Sequence, residues 1–157
     1  MQLTAKSAIA VLIATAMTLA LVTTVVAQET PTTPEDFGAR FMTAMNSKDA
    51  EAVRKMHFPG SVDSPMKQML DGLLEAELNS GQKFTKFEIL PVPKDLSMQH
   101  DGPDGKTYQF NLPVTNMVKI SAMDKDSSMS STVPIGMKEG KYYLLDPEPV
   151  RTPEPTK

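Results

Sequence analysis

The chain has 157 residues, of which 16 are Lys or Arg and 19 are Asp or Glu, so its formal net charge at pH 7 is −3. Such a mildly acidic chain lacks the basic face that nucleic-acid phosphates require, and we expect no nucleic-acid partner. There is no cysteine and there are only two histidines, which excludes thiol catalysis and thiolate or multi-histidine metal sites. We therefore expect neither a metal ion nor a cofactor.

The N-terminal segment has the features of a secretory signal peptide. Lys6 precedes an uncharged run, residues 7–27, which ends in Val25-Val26-Ala27 and so places small residues at −3 and −1 of a possible cleavage site. Cleavage after Ala27 would export residues 28–157 to the periplasm or the exterior. The run is also long enough, at about 20 residues, to span a bilayer. An uncleaved membrane anchor is therefore the alternative, and a membrane is expected as a partner only in that case.

Three helices are predicted after a short linker, residues 28–33. Thr33-Pro34-Glu35-Asp36 combines an N-cap, a proline at the first helical position and acidic residues in the first turn. Ser47 can cap a second helix, which stops before Pro59. Ser64-Pro65 repeats the cap-then-proline start for a third helix, and Gly81 suits its C-terminal end. The third helix carries an apolar stripe at helical spacing: Met66, Met69, Leu70, Leu73, Leu74 and Leu78.

After Gly81 the apolar residues alternate with a period of two, which indicates strands. The predicted strands cover residues 84–92, 96–100, 106–120, 129–137 and 141–145, with a turn-forming cluster at Asp101–Gly105. The 106–120 strand has apolar residues at its even positions, and Asn116 interrupts them. From Asp146 the chain is rich in proline and charge, so residues 146–157 are predicted to be a disordered tail.

Three N-terminal helices packed on a curved antiparallel sheet of about four to six strands make an α+β domain, residues 34–145. The helix Phe37–Met45, the second helix opened by Lys48-Asp49, and its exit Met56-His57-Phe58-Pro59 resemble the NTF2-like (cystatin-like) superfamily, which includes SnoaL-type cyclases and ketosteroid isomerases. The resemblance is one of architecture and covers nearly all of the chain after the signal segment. It implies a cone-shaped shell around a pocket, often in a dimer, and it implies no single activity.

His57 is the candidate catalytic residue. It lies at the exit of the second predicted helix, and an imidazole can act as an acid or a base because it titrates near neutral pH. The alternative is a half-buried histidine that packs against Phe58 and caps the end of the helix, where its charge suits the helix dipole.

Four residues of the long predicted strand are candidates for ligand binding: Tyr108, Phe110, Asn116 and Val118. An unpaired buried amide costs about 1–3 kcal/mol, so Asn116 would need partners if the stripe faces the interior. A polar group in an apolar cavity is typical of a ligand site. The alternative for Asn116 is a β-bulge or an edge position that turns it to solvent, and Tyr108 would equally suit a packed core.

Together these features predict an exported, non-enzymatic module that binds a small apolar molecule or a protein partner. One alternative is a cofactor-independent isomerase or dehydratase acting on a hydrophobic substrate, with His57 as general base. Another is a dimeric accessory protein whose sheet face forms the homodimer interface. An enzyme is the less favoured reading because the sequence contains no nucleophile elbow, phosphate loop or paired-carboxylate motif.

Overall fold

The structure is a computed structural model that describes residues 29–60, 63–124 and 127–150. The predicted signal segment and residues 151–157 lie outside this range. The described helices are α1 (Pro34–Ser47), α2 (Ala50–Lys55) and α3 (Pro65–Asn79). The prediction that all three helices are N-terminal is wrong, because α3 occupies the middle of the chain.

The described strands all follow α3, and with the helices they confirm the α+β class. They are β1 (Lys86–Leu90), β2 (Gln99–Asp101), β3 (Thr107–Phe110), β4 (Val114–Asp124), β5 (Ser127–Lys138), β6 (Lys141–Leu144) and β7 (Pro147–Pro149).

Capping residues explain where the helices begin. The side chains of Thr33 and Ser64 each accept a backbone N–H bond of 3.1 Å, and a proline follows each cap, as predicted for α1 and α3. The N-cap of α2 is Asp49, whose carboxylate accepts the Ala52 N–H at 2.9 Å. Ser47 was the predicted cap, but it still belongs to α1 and its hydroxyl donates back to α1 carbonyls.

The strands form two antiparallel sheets, so the prediction of a single sheet is wrong. One sheet has the order β1-β4-β5-β6 and the other β2-β3-β7. The predicted strand 106–120 is divided between them, because Pro113 has no N–H to donate to a ladder. The N–H of Asn111 instead donates to the Asp146 carbonyl oxygen at 3.0 Å. The chain therefore leaves one sheet after Phe110 and enters the other at Val114.

Residues 146–150 are ordered, which corrects the predicted start of a disordered tail. β7 pairs antiparallel with β3, and Asp146 is 2% exposed. The N–H of Val150 donates to Thr107 at 2.9 Å. Because alternate residues of a strand point their N–H groups to opposite sides, Pro147 and Pro149 occupy positions whose missing N–H groups would point away from β3. An edge strand can therefore carry both prolines.

The main core lies between α1 and the four-stranded sheet. Gly38 lets α1 approach β1 closely, since a Cβ there would lie 2.6 Å from the Phe87 ring. The fully buried residues of this core are Phe37, Phe41, Val53, Val118, Ile120 and Ile135. Burial of a side chain of this size contributes about 1.5–3 kcal/mol, so the packing of α1 on this sheet stabilises the domain.

Candidate functional site

A cavity of about 470 Å³ lies between α3 and the place where the two sheets meet. It is bounded by α3, by β5 over residues 131–134, and by the segment 144–147 that links β6 to β7. Phe110 of β3 and His100 of β2 also line it. Its volume is within the range of small-molecule sites, about 300–1,000 Å³.

The apolar stripe of α3 forms a wall of this cavity. Of the six stripe residues only Met66 and Leu78 are buried, whereas Leu70 is 39% exposed and Leu73 is 61% exposed. Both of these leucines, with Leu74, line the cavity. The apolar stripe of α3 is therefore only partly packed against the protein. Its exposed leucines are available to contact a bound molecule.

Backbone pairing places His57 at the cavity. The residues on either side of it pair with the end of β6: the Leu144 N–H donates to Met56 at 2.8 Å, and the Phe58 N–H donates to Leu144 at 3.1 Å. These two bonds hold the exit of α2 against the start of the β6–β7 segment. His57 consequently lies beside Asp146, which is 89 residues later in the sequence.

His57 and Asp146 form a largely buried pair. The imidazole Nδ1 lies 2.8 Å from Asp146 Oδ1, and the two side chains are 15% and 3% exposed. An ionised carboxylate only accepts hydrogen bonds, so Nδ1 carries the proton. In the neutral ring Nε2 is then an acceptor, and this atom is buried with no hydrogen-bond partner among the described residues.

Lys67 and Asp71 extend this pair. The Lys67 Nζ lies 2.8 Å from Asp71 and 3.6 Å from Asp146. Partial burial disfavours the charge on Lys67, but its hydrogen bond to Asp71 and the charge of Asp146 outweigh burial and raise the Lys67 pKa. The lysine therefore supplies a positive charge to the two carboxylates.

His57, Asp71 and Asp146 present potential ligand atoms within 4.8 Å of one another, which is a spacing that could hold a metal ion. The Lys67 ammonium already neutralises part of this cluster. The arrangement is accounted for by ion pairing, and the expectation of no metal ion stays a prediction.

Glu77 of α3 is a second polar group in the cavity wall. Its Oε2 accepts the Ser131 hydroxyl at 3.1 Å, and its Oε1 is buried with no partner in the described part of the chain. Burial raises the pKa of Glu77, and the hydrogen bond from Ser131 offsets this only in part. The neutral acid is therefore favoured more than in a solvent-exposed glutamate.

Among the residues predicted from sequence, His57 and Phe110 line the cavity. Tyr108 is fully buried elsewhere and donates its hydroxyl to Asp104 at 2.9 Å, and Val118 belongs to the main core. Asn116 is partly buried next to a register shift in the β4–β5 ladder. Tyr108, Asn116 and Val118 are not in the cavity wall.

Sequence reasoning missed Glu77 and Asp146. A signal for Glu77 was present, because it lies three residues after Leu74 and seven after Leu70 and so interrupts the apolar face of α3. Asp146 gave no such signal, since it stands at the start of a proline-rich segment whose pairing with β3 is not a local property.

Comparison with known proteins identifies no relative: no family model, no curated protein and no solved structure matches the chain. The resemblance to the NTF2-like superfamily therefore remains a prediction. Within the described residues, no helix combines the length and the apolar character needed to cross a membrane.

Proposed function

We propose that the protein binds a small, mainly apolar molecule in the cavity between α3 and the two sheets. The supporting observation is that His57 Nε2 and Glu77 Oε1 are buried and without hydrogen-bond partners among the described residues, and both residues line the cavity. An unpaired buried polar group costs about 1–3 kcal/mol. A ligand that pairs with either atom would recover part of this cost.

The apolar wall adds a second contribution to binding. Leu70 and Leu73 are 39% and 61% exposed in the cavity wall. Complete burial of a leucine side chain contributes about 1.5–3 kcal/mol, and a ligand that covers these two residues would gain a fraction of that from each. Apolar walls with a few polar groups are typical of small-molecule sites.

Two predictions from sequence complete this proposal. The order of the helices and strands supports an NTF2-like shell around the cavity, and cleavage after Ala27 would place the binding domain outside the cytoplasm. In this interpretation the protein is an exported carrier or sensor of a small apolar molecule.

The His57–Asp146 pair favours a second candidate function, acid–base catalysis on a hydrophobic substrate. A carboxylate that holds one imidazole nitrogen fixes the orientation of the ring and leaves the other nitrogen to accept a proton. Glu77, with its raised pKa, could return a proton to the substrate. The candidate reaction is a cofactor-independent isomerisation or dehydration with His57 as general base.

Native mass spectrometry of the protein purified from its source compartment tests the binding proposal. We expect a reproducible added mass on the wild type and its loss in Leu73→Glu, because this exposed cavity residue can be replaced without opening the core. Met137 is 48% exposed and lies away from the cavity, so Met137→Glu is the matched control that should retain the added mass.

A wild type with no added mass, or equal retention by both variants, would refute the proposal. A dimer without added mass would instead support the homodimer alternative. If the recovered molecule is converted to a product by wild type but not by His57→Ala, the enzymatic candidate replaces the carrier.

A further inference from the structure

We infer that the molecule bound in this cavity is uncharged and carries a hydrogen-bond donor, such as the hydroxyl group of an apolar alcohol or phenol, that donates to His57 Nε2. This inference rests on the proposed function and specifies the chemical class of its ligand.

The direction of the hydrogen bond follows from the His57–Asp146 pair. Asp146 is nearly inaccessible and its Oδ1 lies 2.8 Å from His57 Nδ1, so the proton of the neutral ring is held on Nδ1. Nε2 then offers a lone pair. Its ligand partner must therefore be a donor, which a hydroxyl group supplies and an ether, a hydrocarbon or a carboxylate does not.

The surroundings disfavour a charged ligand. The cavity wall includes three acidic side chains, Asp71, Glu77 and Asp146, and the ionised carboxylates among them repel an anion. A cation would have to share Asp71 and Asp146 with the Lys67 ammonium, which already lies 2.8 Å and 3.6 Å from these two carboxylates. The remaining wall is mainly apolar, and a charge buried there without a partner carries a large desolvation cost.

Glu77 is consistent with an uncharged ligand. Its Oε2 is held by the Ser131 hydroxyl and its Oε1 is buried without a partner among the described residues. Burial raises the pKa of Glu77 and so makes its charged form less favourable than that of an exposed glutamate. In its neutral form it can also donate to a second oxygen atom of the ligand.

Three probes of similar size test the inference by fluorescence titration. They are 2-naphthol, naphthalene and 2-naphthoate. We expect 2-naphthol to bind about tenfold more tightly than either of the others, since one satisfied buried hydrogen bond is worth roughly a factor of ten. The preference over naphthalene should fall to about unity in His57→Phe.

Tyr143→Phe is the matched control, because Tyr143 packs against Phe58 outside the cavity wall and should keep the tenfold preference. If His57→Phe does not fold, the three wild-type affinities still decide the question. Equal binding of 2-naphthol and naphthalene, tighter binding of 2-naphthoate, or a preference that survives the loss of His57 would overturn this inference alone. Failure of all three probes to bind would overturn the proposed function together with it.

Discussion

Asp146 offers the sharpest test of how the candidate site is held together. It is the buried partner of two basic groups, with His57 Nδ1 at 2.8 Å and Lys67 Nζ at 3.6 Å. Removing one member of a buried ion pair typically costs about 3–5 kcal/mol, and this range is an upper bound here because a neutral His57 loses an acceptor but does not become an unpaired charge. We expect Asp146→Ala to lower the free energy of unfolding by about 2–3 kcal/mol, since Lys67 keeps Asp71 as a second partner.

The conservative variant separates charge from shape. Asp146→Asn keeps an acceptor oxygen for His57 but turns a charge-assisted hydrogen bond into a neutral one, which is about half as strong. A charged hydrogen bond contributes about 1.5–3 kcal/mol, so halving its strength lowers the free energy of unfolding by about 0.8–1.5 kcal/mol. Asp71→Asn is the matched control: it removes the other carboxylate of Lys67, but that side chain is 47% exposed, and the expected loss is below about 1 kcal/mol.

Urea unfolding followed by far-UV circular dichroism measures these differences, provided that the slope of free energy against urea is the same in all variants. The decisive comparison is between the two Asn variants, because both remove one carboxylate next to the same lysine. Equal losses at positions 146 and 71, or a loss below about 1.5 kcal/mol for Asp146→Ala, would refute the view that the His57–Asp146 pair is a buried and stabilising contact.

Two further predictions concern Glu77 and Tyr108. Burial raises the folded-state pKa of Glu77 above 4.5. The folded protein therefore binds this proton more tightly than the unfolded chain does. As a result, Glu77 destabilises the protein increasingly as the pH rises through the folded-state pKa. In urea titrations, the unfolding free energy of Glu77→Gln relative to wild type should therefore increase between pH 4 and pH 8. The same comparison for Glu75→Gln, at an exposed position, should show no such trend. The prediction is contradicted if the two variants show the same dependence on pH. Tyr108→Phe removes a hydroxyl that donates to Asp104 at 2.9 Å and should lower the unfolding free energy by about 1 kcal/mol in the same assay, while an unchanged midpoint would show that this bond adds nothing.

Local signals in the sequence predicted the helices well. A capping side chain followed by proline marks the start of α1 and of α3, because both groups act within one turn of the chain. Gly81 adopts φ +80 after α3, as expected for a residue that ends a helix in the left-handed region. The alternation of apolar residues likewise predicted strands after Gly81, and the α+β class follows from these local patterns.

The candidate site was only partly predictable. His57 is one of only two histidines in the chain and lies at the end of a predicted helix. The structure places it in the cavity wall. The stripe on α3 was visible, but periodicity does not distinguish a helix face packed in a core from one that lines a cavity. Asn116 and Val118 lie at alternating positions of a strand, as residues that face a pocket also do. Asn116 nevertheless lies next to a register shift in the β4–β5 ladder, and Val118 lies in the main core.

The sequence by itself determined the helices, the strand-forming region and the acidic, cysteine-free character of the chain, because these depend on residues that are neighbours along the backbone. Only the tertiary structure decided that the strands divide into two sheets, that β7 continues the fold beyond position 145, and that His57 meets Asp146. These features depend on hydrogen bonds between segments up to 89 residues apart. Such bonds join groups that are far apart along the chain, and no local sequence pattern identifies them as partners. The site therefore forms only when the chain is folded.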